Sequence, residues 1–383
     1  MIIKSLELKN YRNYKELYME FDSGINILYG NNAQGKTNIL EAIYVCSTTK
    51  SHRGSKDRDI IHFNEEDAHI CMRIEKNNLI HKIDMHLKRN RTKGVAIDGL
   101  VIKKSSELFG RVNIVFFSPE DLSIIKNGPS ERRRFIDLEL CQLNSLYLYN
   151  ISHYNKIINQ RNNLLKQISF NPELEDTLEI WDMQMVEFGN KIIYQRNNFI
   201  NDLNKIIYAI HQKLTGGREE LLIKYEANVL PEEFSDKIIS KRESDIKFKT
   251  TSVGPHRDDM SFYVGGIDIR RFGSQGQQRT AALSLKLAEI ELVRQLINDK
   301  PILLLDDVLS ELDSFRQNYL LESLNDIQTI ITCTGLDEFI NNQFHVNKVH
   351  KIVEGELELV NQVNEYSQLT LRILSEAEKG GTL

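Results

Sequence analysis

The pattern of apolar and polar positions divides the chain into strand-like and helix-like stretches. Leu6 and Leu8 alternate with polar neighbours, which predicts a half-buried strand near the amino-terminal end. Residues 25–29 are rich in β-branched and aromatic side chains and predict a second strand. Apolar positions at helical spacing follow between Ile39 and Ile43. The chain is therefore expected to pass from strand to helix between these stretches.

Helical periodicity dominates the middle of the chain. Residues 145–167 and 174–214 both repeat apolar side chains at helical spacing, and a proline-containing turn at 170–172 separates them. We expect a helical hairpin inserted into a larger domain and closed by the glycines at 216–217. Before it, residues 68–102 predict short strands joined by tight turns, as in an antiparallel β subdomain.

The continuous apolar run at 302–305 predicts a strand buried on both faces, as in a parallel sheet. Residues 112–117 and 329–334 also predict strands of the buried type. Hairpin strands are expected at 260–264 and 267–271, followed by a helix rich in Ala and Leu. Together these elements predict an α/β protein with a mixed sheet.

Two local features are also predicted. Residues 10–13, Asn-Tyr-Arg-Asn, have the composition of a polar, aromatic loop. Ser130 is the expected N-cap of a helix that begins at Glu131, although Arg133 completes no capping box.

Composition limits the classes of function. The 383 residues are 41% hydrophobic and 27% charged, which is typical of a globular protein of one to three domains. The net charge of -5 restricts any nucleic-acid surface to a local patch. The four cysteines form no C-x-x-C pair, which argues against structural zinc and disulfides. Without a bilayer-length apolar run or a secretory signal pattern, we expect a cytoplasmic protein with no membrane partner.

The strongest chemical signal is the pattern G-x-x-x-x-G-K-[ST] at residues 30–37, placed where the predicted strand becomes a helix. Its glycines let backbone N–H groups point at a phosphate, and the helix start adds a positive dipole end. Lys36 is expected to reach the β- and γ-phosphates of ATP, and the Thr37 hydroxyl to bind Mg²⁺. The predicted nucleotide contacts of this loop are Gly30, Asn31, Asn32, Ala33, Gln34, Gly35, Lys36, Thr37 and Asn38.

Two carboxylates form the second site. Asp306 and Asp307 end the buried strand that begins near residue 302, where α/β sheets bind ligands. Asp306 fits an Mg²⁺ ligand, and Asp307 fits the group that orients or deprotonates the attacking water. With Lys36, these acids are the predicted catalytic residues.

Two polar segments are weaker signals. The loop at 88–94 carries four cations within six residues, which suits either a solvated hairpin tip or a grip on a sugar-phosphate backbone; the hairpin tip is the preferred interpretation. His256 with Asp258 and Asp259 suggests a metal site only weakly, and we do not predict one.

Several motifs occur together in one known family. The chain resembles the RecF family of bacterial recombination and repair ATPases, which is similar to the SMC-like and ABC-type ATPases. The resemblance extends from about residue 1 to about residue 370, and its most specific motifs are Ser-Pro-Glu-Asp-Leu and Gly-Ser-Gln-Gly-Gln-Gln-Arg-Thr. The stretches that carry it are 10–13, 30–37, 117–122, 130–137, 273–280 and 303–313.

The resemblance implies an ABC-type ATPase head with an inserted helical hairpin. By position it divides the chain into an amino-terminal head part at 1–125, the helical insertion at 126–250 and a carboxy-terminal head part at 251–383. It also implies that the opening segment lies against the nucleotide, so Arg12 and Asn13 are candidate contacts. For Arg12 a solvated loop at a sheet edge remains an equal alternative.

The same resemblance assigns a signature motif to Ser274, Gly276 and Gln277, which in one subunit closes over the γ-phosphate held by another. Glu311 and Asp313 would form the D-loop at that dimer interface. ATP would thus join two heads, and hydrolysis would release them. Family members bind double-stranded DNA and single/double-strand junctions, and they work with the RecO and RecR mediators to load recombinase at gapped DNA.

The chain departs from the wider ABC pattern in four ways. The signature at 274–277 lacks the usual double glycine, and Asp307 stands where many ABC ATPases carry Glu. The switch-loop position near 332–334 has no histidine, and the stretch 118–122, where a Q-loop would fall, has no glutamine. These departures indicate slow turnover.

Two other functions would use the same phosphate loop. An SMC-type chromosome organiser needs long heptad arms, whereas the predicted hairpin is short. The ATPase subunit of a transporter would leave the Ser-Pro-Glu-Asp-Leu stretch unexplained.

Overall fold

The computed structural model describes residues 1–324, 326–336 and 346–358. Its strands are β1 (Ile2–Tyr11), β2 (Tyr14–Glu20), β3 (Ile25–Tyr29), β4 (Asp67–Lys76), β5 (Leu79–Lys88), β6 (Gly94–Ile97), β7 (Leu100–Val101), β8 (Ile114–Phe117), β9 (Leu221–Glu226), β10 (Asp259–Val264), β11 (Ile267–Asp268), β12 (Ile302–Asp306), β13 (Thr329–Cys333), β14 (Lys348–Val353) and β15 (Glu356–Glu358). Its α-helices are α1 (Lys36–Thr48), α2 (Leu122–Lys126), α3 (Pro129–Leu143), α4 (Ser145–Ile168), α5 (Leu178–Leu214), α6 (Phe234–Ser240), α7 (Arg242–Phe248), α8 (Ile269–Phe272), α9 (Gln275–Ile297) and α10 (Ser314–Glu322).

The described residues form two compact units. The first contains Met1–Ile102, Leu303–Glu311 and the described residues from Asp326 onward. The second contains Lys103–Ile302 and residues 312–324. The phosphate loop, helix α1, Asp306 and Asp307 thus lie in the first unit, and the hairpin helices α4 and α5 and residues 274–277 lie in the second. The three-part division of the chain stays a prediction.

The first unit contains two sheets. One is antiparallel, in the order β2-β1-β4-β5-β6-β7. In the other, β3 pairs in parallel with both β13 and β14, and β12 continues the parallel arrangement beyond β13. The residues of β12 and β13 are almost all buried, which explains the uninterrupted apolar run at 302–305. The phosphate loop therefore leaves the carboxyl end of an interior strand, where parallel sheets bind ligands.

The second unit is built around the helices α4 and α5. Apolar side chains of both helices belong to one buried core with strands β9 and β10. The turn between the helices contains one 3₁₀ segment, Pro172–Thr177. Helix α5 has 37 residues and is therefore about 56 Å long. The predicted helical hairpin is confirmed, and its length is far below that of a heptad-repeat arm.

The opening loop is shorter than predicted. Asn10 and Tyr11 complete β1, so the turn consists of Arg12 and Asn13 alone. The prediction of a four-residue polar loop is wrong because the Tyr11 side chain is completely buried and its burial favours continuation of the strand.

Two further element bounds differ from prediction. Helix α3 begins at Pro129 with Gly128 as its N-cap, so Ser130 is not the cap; proline suits the first helical position because its missing N–H has no partner there. The second hairpin strand ends at Asp268, whose carboxylate accepts the Arg270 N–H and starts the short helix α8 instead.

The segment Gly-Pro-His-Arg-Asp-Asp anchors strand β10 to the helices of the second unit. Asp258 accepts hydrogen bonds from Arg196 (3.0 Å) and from the Tyr225 hydroxyl, and Asp259 accepts from Arg132 (2.6 and 3.0 Å). Both arginine side chains are 1% exposed. These acids thus serve as partners for buried cations, which need a partner when removed from water.

His256 lies beside these pairs as a neutral ring. Its Nε2 donates to the Thr251 carbonyl oxygen and its Nδ1 accepts from the Tyr154 hydroxyl, both at 3.0 Å. Burial lowers the pKa of His256 to about 4, because the charged form loses its hydration. Only the neutral ring satisfies this pair of bonds with one donor and one acceptor.

The lowered pKa of His256 predicts a loss of stability in acid. The folded pKa lies below the unfolded value, so the contribution is complete above pH ~6.5 and is lost as the pH falls toward about 4. The full effect is about 3 kcal/mol. We expect His256→Gln, which keeps a donor and an acceptor, to remove this part of the pH dependence. Urea unfolding of both proteins at about pH 7 and about pH 4 measures it; parallel losses in wild type and variant would contradict the assignment.

Candidate functional site

The phosphate loop joins β3 to α1, and both of its glycines have positive φ angles. Gly30 and Gly35 have φ values of 153° and 110°. A Cβ atom at Gly30 would lie 2.3 Å from the Ile352 carbonyl oxygen, and one at Gly35 would lie 2.5 Å from the Asn13 side-chain nitrogen. Both positions thus require glycine for conformation and for space.

Lys36 lies over the loop that precedes it. Its Nζ donates to the carbonyl oxygens of Gly30 (2.6 Å) and Asn31 (2.8 Å), and the residue is 7% exposed. Burial lowers the pKa of Lys36, and the charges of Asp307 and Asp306 act in the opposite direction. The ammonium group is thus held at the centre of the loop, as the sequence predicts for a phosphate-binding lysine.

Asp306 connects the end of β12 to the start of α1. Its Oδ1 accepts hydrogen bonds from the hydroxyl groups of Thr37 and Thr332, each at 2.8 Å. Burial raises the pKa of Asp306, although these two hydrogen bonds and the charge of Arg53 act against the shift. A buried carboxylate of this kind gains most from a nearby cation, and its oxygen and the Thr37 hydroxyl are hard ligands that suit Mg²⁺.

Asp307 adopts the left-handed conformation, with φ of 53°. Its N–H donates to the Thr332 hydroxyl at 3.0 Å and to the Thr332 carbonyl oxygen at 3.3 Å. Thr332 therefore holds both acids, since its hydroxyl donates to the Asp306 carboxylate and accepts from the Asp307 N–H. In the sequence, residues 332–334 are distinguished only by the absence of a histidine. Non-glycine residues in this conformation are uncommon and cluster at functional sites.

A cavity of about 230 Å³ lies in front of the loop. It is lined by Asn32, Ala33, Gln34, Gly35, Lys36, Thr37, Asn38, Arg53, Asp306, Asp307 and Thr332. The structure thus brings the loop and both acids together within the first unit. Arg53 was not predicted as a site residue; its Nη1 donates to the Asn38 side-chain oxygen at 3.3 Å. The basic composition of residues 50–58 was visible in the sequence, but not which cation faces the cavity.

Asn13 contacts the phosphate loop, and the Arg12 side chain contacts Glu41 of helix α1. The Asn13 side chain donates to the Gln34 carbonyl oxygen (3.0 Å) and accepts from the Asn38 side chain (2.8 Å). The Arg12 guanidinium makes two bonds with the buried Glu41 carboxylate, at 2.6 and 2.7 Å. Neither residue lines the cavity, so contact of Arg12 and Asn13 with a nucleotide stays a prediction.

The turn between β14 and β15 supports the loop from the other side. The N–H of Gly355 donates to the Gln34 carbonyl oxygen at 3.2 Å, and the N–H of Glu354 donates to the Gln34 side chain. These contacts join residues more than 300 positions apart in the sequence, and no local motif predicts them.

The signature residues begin helix α9 in the second unit. The Ser274 hydroxyl accepts from the Gln277 N–H (3.2 Å), and the Gln277 side-chain oxygen accepts from the Ser274 N–H (3.0 Å). This reciprocal capping fixes the conformation of the first turn. Ser274 and Gly276 are exposed, so the amino-terminal end of a 23-residue helix is open to an anionic ligand.

The basic loop at 88–94 is held by its own unit. Arg89 donates to the Glu65 carbonyl oxygen, and Lys93 pairs with Asp57 at 2.9 Å. These contacts favour the hairpin-tip interpretation over a grip on DNA.

A metal-binding cluster, a disulfide bond and a membrane-spanning helix are all absent from residues 1–324, 326–336 and 346–358. In these ranges no cluster of three or more His, Cys, Asp or Glu side chains could hold a metal ion. Cys46, Cys71, Cys141 and Cys333 are all buried and unbridged. Among the same residues, no helix is long and apolar enough to cross a bilayer.

Comparison with known proteins identifies relatives along nearly the whole chain. The family model of the RecF/RecN/SMC N-terminal domain matches residues 2–354. The DNA replication and repair protein RecF of Lachnoclostridium phytofermentans is 63% identical over 358 residues, covering 94% of this chain and 99% of the relative.

Solved structures give the same result at the level of the fold. A structure of the recombination mediator protein RecF with ATP, from the RecFOR pathway, is similar with a TM-score of 0.88 at 36% identity, covering 94% of this chain and 97% of that chain. An SMC head bound to the C-terminal winged-helix domain of ScpA matches with a TM-score of 0.56 at 17% identity, covering 96% and 99%. The second likeness concerns the fold alone and lends no support to the chromosome-organiser alternative.

Proposed function

This chain belongs to the RecF family of DNA replication and repair proteins, and we propose that it acts as an ATP-dependent DNA-binding switch in recombinational repair. ATP joins two copies head to head on DNA, and slow hydrolysis separates them. The closed pair holds double-stranded DNA or a single/double-strand junction at a gap. There it helps the RecO and RecR mediators to load recombinase; the related RecF protein solved with ATP belongs to the RecFOR pathway.

One observation carries the ATP site: the Thr37 hydroxyl and the Asp306 carboxylate meet at 2.8 Å beside the phosphate loop. These two residues would hold Mg²⁺, which neutralises charge on the β- and γ-phosphates. Lys36 supplies a second positive charge from the loop itself. Asn13 holds the loop at Gln34, and with Arg12 it is proposed to lie against the bound nucleotide.

Asp307 is proposed as the group that orients the attacking water. Asp307 lines the cavity together with Asp306, and its backbone N–H is held by Thr332. An Asp reaches one methylene less far than the Glu usual at this position in ABC ATPases, which supports slow hydrolysis and a role as a switch.

The signature is proposed to act on the ATP bound by a second copy. Ser274 and Gly276 are exposed at the start of α9, where N–H groups and the helix dipole favour an anion. A γ-phosphate held by the partner is such an anion. Glu311 and Asp313 are proposed to meet the partner at the same interface.

Replacing Ser274 by Arg is expected to block ATP-dependent dimerisation while leaving ATP binding to the single chain unchanged. The bulky cation occupies the space meant for the γ-phosphate, but the phosphate loop lies in the other unit. Light scattering with Mg²⁺ and ATP measures the mass, and nucleotide titration measures ATP affinity.

The matched control is Gln295→Arg, which adds the same cation at an exposed position near the other end of α9. Because Ser274→Arg also removes a helix cap, with a cost of about 1 kcal/mol, thermal melts of both variants accompany the test. A dimer of normal strength in a folded Ser274→Arg variant would remove the signature from the interface.

A further inference from the structure

The long helix α5 ends next to the signature. Its last turn is closed by the Gly217 N–H, which donates to the Gln212 carbonyl oxygen at 2.8 Å, and by Gly216 and Gly217 in left-handed conformation. This termination is typical of helices that end at glycine. The chain then reverses, and two residues later Glu219 reaches helix α9.

Glu219 holds the side chain of a signature residue. Its Oε1 accepts a hydrogen bond from Gln277 Nε2 at 2.9 Å. The other end of the same amide, Gln277 Oε1, accepts from the Ser274 N–H at 3.0 Å. The Gln277 amide is therefore held at both ends, by the signature backbone on one side and by the base of α5 on the other. A hydrogen bond to a carboxylate is stronger than one between neutral groups.

A second contact ties α5 to the same helix seven residues further along, at Ser284. His211 is completely buried, and its Nδ1 lies 2.8 Å from the Ser284 hydroxyl. That hydroxyl donates to the Thr280 carbonyl oxygen at 2.8 Å, so the His211 Nδ1–H is the donor to Ser284. Burial lowers the pKa of His211 and keeps the ring neutral. The His211 Nε2 atom is then unprotonated. It lies 3.7 Å from a Glu219 carboxylate oxygen, and no hydrogen bond joins the two atoms.

A third contact joins the same helix to α10. Arg316 donates to the Thr280 hydroxyl at 2.9 Å, and it also pairs with Asp313, the N-cap of α10. The Thr280 hydroxyl in turn donates to the Gly276 carbonyl oxygen in the signature at 2.8 Å. The first turns of α9 are thus connected to the base of α5 on one side and to the D-loop acid Asp313 on the other.

We infer that Glu219 is a positioning residue. It couples the carboxyl end of α5, the base of the helical hairpin, to the signature motif through Gln277. When the base of α5 moves, Glu219 and Gln277 move together and the cap at Ser274 moves with them. DNA bound to the helical hairpin would thereby change the contact between the signature and the ATP held by a second copy. This inference rests on the proposed function, because it needs the signature to act at a dimer interface.

Substitution of Glu219 is expected to weaken dimerisation and to leave ATP binding by the single chain intact. Each dimer contains two such contacts, so Glu219→Ala should raise the dimer dissociation constant with ATP roughly thirtyfold. Steady-state hydrolysis should show a lower kcat with an unchanged KM for ATP, since the phosphate loop is untouched. Glu219→Gln keeps an acceptor and should remain close to wild type. Glu220→Ala, at the next position, is the control, because the only described hydrogen bond of the Glu220 side chain is the one it accepts from the exposed Tyr208 hydroxyl.

The specific partner is tested by exchange. Gln277→Glu faces Glu219 with a second carboxylate and should reproduce the defect without loss of side-chain volume. Combining it with Glu219→Gln restores one donor and one acceptor and should recover wild-type dimerisation. A merely structural role for Glu219 does not predict this recovery.

The outcomes separate this inference from the proposed function. A wild-type chain that stays monomeric with ATP would overturn both. A wild-type dimer with equal dimerisation by Glu219→Ala and Glu220→Ala would overturn the inference alone. Failure of the exchanged pair to recover, or an equal loss of monomer ATP affinity in Glu219→Ala, would also overturn it.

Discussion

Lys36→Ala is expected to lose ATP affinity by a hundredfold or more, about 2.7 kcal/mol. Lys36 is the cation that the loop itself holds, with Nζ fixed by the carbonyl oxygens of Gly30 and Asn31. These carbonyl contacts hold the charge in the loop, where the β- and γ-phosphates of ATP are proposed to bind. Removal of the charge leaves the loop N–H groups to bind the phosphates alone.

Lys36→Arg separates charge from geometry. The guanidinium keeps the charge but is planar and larger than an ammonium group, so hydrolysis should fall more than binding. Lys50→Ala, an exposed lysine just beyond the other end of α1, is the control and should bind ATP as wild type does. Nucleotide titration measures all three variants. Near-normal ATP affinity in Lys36→Ala would exclude the loop as the nucleotide site.

Asp306 and Asp307 are adjacent, but their substitutions should have opposite effects on the ATP-bound state. Asp306→Ala removes the proposed Mg²⁺ ligand that also accepts from Thr37, so ATP use and dimerisation should both decline. Asp307→Asn keeps the side-chain shape, and Asn tolerates the left-handed backbone that Asp307 adopts. Hydrolysis should therefore slow on the order of a hundredfold or more while ATP stays bound.

The two variants should also bind DNA differently. Asp307→Asn with ATP should stay closed longer and bind duplex DNA more tightly than wild type, because a pair of heads presents twice the binding surface. Asp306→Ala should bind it more weakly, and the difference should shrink as salt rises. Fluorescence anisotropy across a salt series measures this, with the exposed Asp176→Asn as the control. Equal affinity of all proteins, with and without ATP, would break the link between dimerisation and DNA capture.

The parts of the site that lie within one motif could be predicted from the sequence. The loop at 30–37 and the acids at 306–307 follow from local patterns, because the strand that precedes each is short, apolar and bounded by polar residues. The buried strands β12 and β13 were predicted for the same reason. The run at 302–305 has no polar face, which only a sheet covered on both sides accommodates.

The remaining contacts depend on tertiary structure. Thr332 bridges Asp306 and Asp307 only because β13 pairs with β12 in one register. Arg53 reaches the cavity, whereas Arg12, which has an equal charge, pairs with Glu41. Nothing in the local sequence distinguishes these two arginines. Packing decides which side chain accepts from each arginine, the Asn38 amide for Arg53 and the Glu41 carboxylate for Arg12, so the charge alone does not predict the contact.

Local element bounds failed where burial or backbone geometry outweighed composition. Tyr11 was assigned to a loop because Asn and Arg surround it, yet its ring is completely buried in β1. Gly128 and Pro129, not Ser130, begin α3, since proline at the first helical position needs no side-chain cap from its neighbour. Such competition between local preferences is resolved only by the packed structure.

The most direct test of the central claim is the mass of the wild-type chain, measured by light scattering without nucleotide and with saturating Mg²⁺ and ATP. The same measurement is repeated in the presence of gapped duplex DNA. ATP is expected to double the protein mass and to increase the amount of protein on the DNA, and the mass should return to that of one chain as ATP is hydrolysed. A chain that binds ATP fully but keeps the mass of a single copy, on and off DNA, would contradict the proposal that ATP joins two heads.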